Sequence, residues 1–380
     1  MCIVLLTTAH PDYALIAIDN RDEFILRPTS RPHWWRHEPS GANVLSSRDL
    51  QRAEMGTWLG ITDQGLFAVL TNYRETDPTD ADHPVCGQRS RGGMVTAWLG
   101  ADPDASVADN VHRLVRDQGV KGVGGFSMVA GKLRKKRQVR SHPHANPLEP
   151  IAIVSNRCAH VHDVPWIADV RGEVYGLSNT TYDNPDPWPK VADGKRLLRE
   201  AIDDAIANHL DEDQLTARLY AILDRDTLPP PATPEMGFAD YVTELQKSIF
   251  VPAIGDASHR AEMEAAVAKG KGEVKDMRAA EELTRPDGLS TTTTTTTTSQ
   301  DGQAGPNVNT GVGFETGLYG TQRQTIIMVD WDGNVSYRER ALWDSNGNPI
   351  EKGQGDVLFR FKIQGWDGED GQEEGRELML

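Results

Sequence analysis

Met1-Cys2-Ile3-Val4-Leu5-Leu6, then His10-Pro11-Asp12, then Tyr13-Ala14-Leu15-Ile16-Ala17-Ile18-Asp19 running into Asn20-Arg21-Asp22-Glu23: this opening decides how the rest is read. Both runs are apolar and rich in β-branched residues, so they read as buried strands joined by a tight turn. Such a hairpin returns the charged block toward residue 2. The small side chain of Cys2 permits removal of Met1, which would leave a thiol and a free α-amine on one residue. An α-amine titrates near about pH 8, so a useful fraction is neutral and takes the thiol proton directly or through water. No histidine is required. The plain alternatives are an incidental cysteine ahead of a first core strand, and a tetrad that is a solvated, salt-bridged strand end.

Composition bounds the rest. A chain of 380 residues holds two or three average domains or one large sandwich, and 38% hydrophobic residues suffice for a sizeable core. The net charge of −16 argues against nucleic-acid binding, which relies on lysine and arginine to displace phosphate counterions. Cys2, Cys86 and Cys158 are widely spaced with no CxxC pair, so no disulfide framework is expected. The apolar start breaks at Thr7 and Thr8 and lacks a basic leader, and no stretch approaches a membrane span. A cytoplasmic protein with no transmembrane segment is the expectation.

Arg31-Pro32-His33-Trp34-Trp35 reads as an extended aromatic stretch packed over a sheet edge, with a cleft wall as the alternative. Residues 57–62 and 66–71 flank Asp63-Gln64-Gly65 as a hairpin that delivers Asn72, Tyr73 and Arg74 at its exit. An amide at a strand end is placed to donate to a developing oxyanion; an ordinary turn asparagine is the other reading. Residues 90–100 predict an amphipathic helix capped by Ser90, and residues 107–117 a second helix. Residues 125–130 and 151–155 read as strands, with Arg134-Lys135-Lys136-Arg137 on a solvated arm between them rather than a phosphate site. His142 with His144, and His160 with His162, lack acidic or thiol partners at metal-ligand spacing, so neither a metal nor another cofactor is expected. Residues 172–178 form a strand ending in Asn179, and Lys190 begins the clearest helix, with Leu197, Leu198, Ala201, Ile202, Ala205, Ile206 and Leu210 on its core stripe. After a possible surface helix from Asp256, eight consecutive threonines at 291–298 mark a segment too poor in apolar area to offset its ordering entropy. A last hairpin turns at Trp331-Asp332-Gly333-Asn334. The expected organisation is one domain over 1–255 and 312–342, a disordered threonine-rich insertion over 256–311, and a fraying acidic tail over 343–380. Hairpins near both ends with helices between them, and no strict βαβ alternation, indicate an α+β layered fold.

One ordered set of motifs narrows this further. Met1-Cys2-Ile3, the tetrad with Arg31-Pro32 after it, Ser47-Arg48-Asp49-Leu50 and Gly56-Thr57-Trp58-Leu59-Gly60-Ile61 open the set. Leu70-Thr71-Asn72-Tyr73-Arg74, Ser90-Arg91-Gly92, Gly125-Phe126, Ser155-Asn156-Arg157, Gly176-Leu177-Ser178-Asn179, Pro187-Trp188-Pro189-Lys190-Val191 and Tyr319-Gly320-Thr321 continue it. Together they resemble the NRDE family, also called the transport and Golgi organization 2 family, over residues 1–250 and 317–342. The resemblance implies a four-layer α-β-β-α sandwich of the N-terminal-nucleophile hydrolase type, whose cysteine members cleave amides such as penicillins and conjugated bile acids. It implies Cys2 as nucleophile, Arg21, Asp22 or Glu23 orienting the α-amine, and Asn72 and Asn179 as oxyanion donors. Trp58, Tyr73, Arg74 and Arg323 would line the substrate. Those hydrolases space arginine and aspartate as RxxD, whereas Arg21 and Asp22 are adjacent, so Asn20 and Glu23 are the alternative occupants. The family places arginine directly after Tyr-Gly-Thr; this chain has Gln322 there and Arg323 one step later, which on a strand faces the other way. The implied activity is hydrolysis of an amide or thioester of a small molecule by acyl transfer. The alternative is a non-enzymatic carrier in trafficking, with haem or an acyl lipid as cargo, Golgi organization or protein secretion as the process, and Golgi or mitochondrial association.

Overall fold

The computed structural model describes residues 1–73, 75, 87, 89–120, 122–136, 146–158, 160–233, 235–270 and 316–367. The opening hairpin forms as its pattern requires. Strand β1 (Ile3–Thr7) pairs antiparallel with β2 (Tyr13–Phe24), Ile3 opposite Asn20 and Thr7 opposite Ile16. The chain then lays down a separate antiparallel sheet in sequence order from β3 (His33–Arg36), β4 (Asn43–Ser46), β5 (Leu59–Thr62), β6 (Leu66–Asn72), β7 (Phe126–Lys132), β8 (Ile151–Ser155) and β9 (Trp166–Ile167). Helices α1 (Gly92–Leu99) and α2 (Val107–Arg113) lie between β6 and β7 in sequence. Strand β10 (Val174–Leu177) returns to flank β1, followed by α3 (Pro189–Asn208), α4 (Glu212–Leu223), α5 (Phe238–Tyr241) and α6 (Ala257–Gly270). Strands β11 (Tyr319–Asp330), β12 (Asn334–Ala341) and β13 (Asp356–Lys362) complete the first sheet in the order β10-β1-β2-β11-β12-β13.

Side-chain alternation on the strands stacks these pieces into layers. Val4, Leu6 and Ala17 meet Phe67, Val69 and Val129 between the two sheets. Their neighbours Ile3, Leu5, Ile16 and Ile18 face the other way, onto Leu198 and Ile202 of α3 and Leu215 and Leu219 of α4. On the far side of the second sheet, Ala68, Leu70 and Met128 pack on Trp98 of α1 and Val111 of α2. The result is the four-layer α-β-β-α sandwich of the α+β class. Helix α3 comes unusually near β1 because Gly194 carries no side chain: a Cβ there would lie 2.7 Å from Cδ1 of Leu5. Among the described residues no helix is long and apolar enough to cross a membrane.

Several elements differ from the sequence expectation. Helix α1 starts at Gly92 after Arg91, and Ser90 does not cap it; its carbonyl instead accepts from Gly93 N. Helix α2 is capped by Ser106 and continues as a π-turn over Leu114–Gly119. The surface helix expected from Asp256 does form, as α6 within the span assigned to the insertion, while 271–315, with the threonine run, lie outside the described residues. The tail does not fray at once. Val357, Phe359 and Phe361 alternate with the more exposed Leu358, Arg360 and Lys362, and β13 pairs with β12, Phe361 opposite Val335. Phe359 and Phe361 pack on the inter-sheet core, and Trp366 is buried there with its Nε1 donating to Trp331 O at 2.8 Å. A short period-2 run inside a polar tail still closes a sheet edge when its one apolar face has a core to cover.

Candidate active site

The site sits where β1 begins. Cys2 shares the alternation of Val4 and Leu6, which turns its half-buried thiol toward the inter-sheet space. Its Sγ donates to Asp22 O at 3.6 Å. The main chain of Cys2 is tied across both sheets: Ser178 Oγ donates to Cys2 O at 2.6 Å, and Thr71 Oγ1, at the end of β6, donates to Ser178 O at 2.7 Å. The terminal amine, here on Met1, is buried and donates to Asp22 Oδ2 at 2.9 Å and to Tyr319 Oη at 2.5 Å. The other carboxylate oxygen of Asp22 accepts from Thr321 Oγ1 at 2.7 Å. The Met1 carbonyl accepts from Nζ of Lys190, a side chain with no solvent exposure in the first turn of α3.

Beside this arrangement lies a cavity of about 480 Å³ lined by Met1, Tyr73, Asn179, Thr180, Asn184, Trp188, Val242 and Gln246. None of these side chains carries a charge. The Met1 side chain packs among Phe24, Tyr241, Leu245, Val251, Ile254 and Tyr319. Asn179 is buried, and its Oδ1 has no hydrogen-bond partner among the described residues. A larger cavity, about 800 Å³, opens at the opposite end of the strands around Pro11, Trp331 and Lys362 and contains none of the expected site residues. Among the described residues no three His, Cys, Asp or Glu side chains are grouped to hold a metal.

Burial dominates the electrostatics. It pushes the Cys2 thiol up to about 11, with the nearby Asp22 carboxylate adding to the rise. It lowers the terminal amine, against the pull of Asp22, and Lys190 lowers it further. Lys190 is lowered by burial, with Asp22 and Cys2 acting against that. Two buried cations therefore share one carboxylate. Asp19, on the same face of β2 as Arg21, is raised well above the ordinary carboxylate range by burial and by Asp22, and its Oδ2 has no partner among the described residues.

The structure brings Cys2 and Asp22 together beside the cavity that Asn179 and Tyr73 line, and sets Asn20, Glu23 and Arg323 apart from it. Asn20 faces the helices, where its Nδ2 donates to Leu223 O at 2.8 Å and Ile249 O at 3.0 Å, so it is not at the amine. Glu23 accepts from Phe24 N at 3.0 Å and stands 4.0 Å from Arg21 and Arg27, so it is not at the amine either. Arg21 lies over the Trp58 ring at 4.3 Å and bonds Gln322 Oε1. A bulge in β11 between Thr321 and Arg323 sets both Gln322 and Arg323 beside Arg21, which resolves the shifted arginine. Arg323 donates to Trp343 O at 2.8 Å and lies 3.7 Å from buried Glu339, away from the cavity lining; burial lowers it to about 10. Tyr73 lines the cavity with Arg157 over its ring at 4.4 Å, while Asn72, in register with Phe126, is half-buried at the end of β6. Arg74 lies outside the described residues. Lys190, Tyr319 and Asp19 were not expected. Lys190 and Tyr319 belong to the ordered motifs, but nothing in a strand or helix pattern says that a lysine is buried.

A family model described as Transport and Golgi organisation 2 matches residues 1–344. The chain is 30% identical over 356 residues to the Transport and Golgi organization 2 homolog of Mus musculus, covering 93% of this chain and 94% of that one. It is 26% identical over 357 residues to the Bos taurus homolog, covering 93% and 94%, and 27% identical over 339 residues to the Homo sapiens homolog, covering 88% of each. Among solved structures it is similar to a Caenorhabditis elegans ortholog of N-acylethanolamine-hydrolyzing acid amidase, with TM-score 0.34, 10% identity, and 58% of this chain and 85% of that chain covered. A mutant conjugated bile acid hydrolase from Clostridium perfringens gives TM-score 0.29 and 10% identity over 98% of this chain and 100% of that chain.

Proposed function

The chain belongs to the Transport and Golgi organisation 2 family, and on that basis we propose that it is a cysteine N-terminal-nucleophile hydrolase of a small-molecule amide or thioester. The observation that carries the reading is the burial of the chain's terminal amine on Asp22 beside the Cys2 sulfur, at a cavity lined by Asn179. With Met1 removed, the Cys2 nitrogen becomes the terminus, and Asp22 is the carboxylate at hand to hold it. The neutral amine takes the thiol proton, and the thiolate attacks the substrate carbonyl carbon. Asn179 turns its amide N–H toward the resulting oxyanion; one such donor is worth about 3 kcal/mol of barrier. Collapse breaks the C–N or C–S bond as the α-ammonium returns its proton to the leaving group. Water, deprotonated by the same amine, then attacks the Cys2 thioester and releases the acid.

The test is direct. Mass spectrometry is expected to find the chain starting at Cys2, and an electrophilic acyl probe to label that residue selectively. Labelling that survives Cys2→Ala removes the reading. A carrier role is the second reading, favoured by the high pKa of the thiol while Met1 is in place, about 11, which makes a poor nucleophile. Haem titration followed by absorbance separates the two: no spectral change at micromolar haem counts against a haem carrier.

A further inference from the structure

Lys190 is placed at cost in two ways. Its ammonium has no solvent exposure, and it stands in the first turn of the 20-residue helix α3, where the helix dipole is positive and disfavours a cation. Two neighbours explain its position. Gly194, one turn on, lets α3 lie against Leu5 of β1, which brings the start of the helix to the start of the strand. The Met1 carbonyl oxygen is the hydrogen-bond acceptor that Nζ finds among the described residues, with the Trp188 ring 5.8 Å away.

That carbonyl is informative because Met1 is chemically an acyl group on the nitrogen of Cys2. An acyl group on the sulfur of the same residue differs only by closing and reopening a five-membered ring, so the two carbonyls occupy neighbouring positions. Resting on the nucleophile reading above, we propose that Lys190 is a catalytic residue: its ammonium donates to the oxygen of the acyl group arriving on Cys2 Sγ, as it now donates to the Met1 oxygen. The C–S bond forms, the carbonyl π pair moves onto oxygen, and Lys190 stays protonated throughout while stabilising that charge beside Asn179. Removal of Met1 thereby frees the nucleophile and leaves the buried ammonium without its acceptor, ready for a substrate carbonyl.

The experiment uses full-length protein whose mass shows Met1 removed, with p-nitrophenyl butyrate as the acyl donor and the nitrophenolate burst as the readout. A second readout is the rate of Cys2 alkylation by iodoacetamide across pH, which needs no oxyanion donor. Lys190→Met keeps volume and deletes a buried charge, while the nearby Asp22 carboxylate keeps the terminal amine as its partner. Its acylation rate is expected to fall about 100- to 1,000-fold, with the alkylation profile in place. Should that variant not fold, Lys190→Leu carries the same comparison, again with no donor left at that position. Acylation at the wild-type rate overturns the proposal. So does a parallel loss in both readouts with the alkylation profile moved to higher pH, which makes Lys190 the counter-ion of the thiolate instead. A wild-type protein that alkylates at Cys2 but gives no burst rejects the nucleophile reading itself, and this assignment with it.

Discussion

Of the four polar residues that close β2, only Asp22 reaches the terminal amine, and the partition follows from strand alternation. Asn20 and Asp22 share the face turned from the inter-sheet space; Arg21 and Glu23 share the other. Asn20 serves the fold. Asn20→Ala would strand two buried carbonyls, at a cost of about 2–4 kcal/mol read by urea unfolding, while acylation of Cys2 stays unchanged. With Met1 in place the thiol, raised to about 11, is protonated at neutral pH; iodoacetamide labelling of that form is expected to climb with pH and level off only near that value. Asp19 supplies a test of opposite character. The folded protein keeps a proton there that the unfolded chain releases above about pH 4, so its contribution to stability falls as pH rises through that window. Asp19→Asn is therefore expected to gain in melting temperature over wild type at pH 7, with the gap closing toward pH 4. The candidate groups were legible in the sequence because carboxylate, amine and thiol are identifiable by residue type. Which carboxylate meets the amine was not, since alternation sorts residues into faces without saying which face holds the terminus, and the bulge at Gln322 has no sequence signature that fixes it.

Helix α3 is the element on which the site's geometry depends. Its core stripe was plain from the 3.6-residue period: Leu198, Ile202 and Ala205 are buried as that period requires, Leu197, Ala201 and Leu210 pack at its margin, and Ile206 is exposed. Lys190 read as an ordinary helix start because burial of a first-turn lysine is decided by the strand it meets. Gly194 is the contact point, and Gly194→Val would push α3 from Leu5. The expected cost is about 1–3 kcal/mol by thermal or urea unfolding, together with slower acylation of Cys2, because Lys190 moves with the helix. Strand β6 contributes from the other sheet: Thr71 holds Ser178, which holds Cys2, so the paired sheets position the nucleophile jointly.

At the scale of the molecule, the two sheets enclose one core whose edge is finished by the tail. The layered class was readable from hairpins at both ends of the chain, whereas β13 was hidden by the polar composition around it. Deleting residues 344–380 would uncover the β12 edge and remove Trp366 and Phe361 from the core. Such a chain is expected to melt earlier and to self-associate on size-exclusion chromatography, because an unpaired hydrophobic edge templates further pairing. The central claim concerns one atom at the other end. Full-length protein quenched during reaction with p-nitrophenyl butyrate and digested for mass spectrometry should yield an N-terminal peptide that begins at Cys2 and carries the butyryl group on that residue. A peptide that begins with Met1, or one that begins at Cys2 and never carries the acyl group, would contradict it.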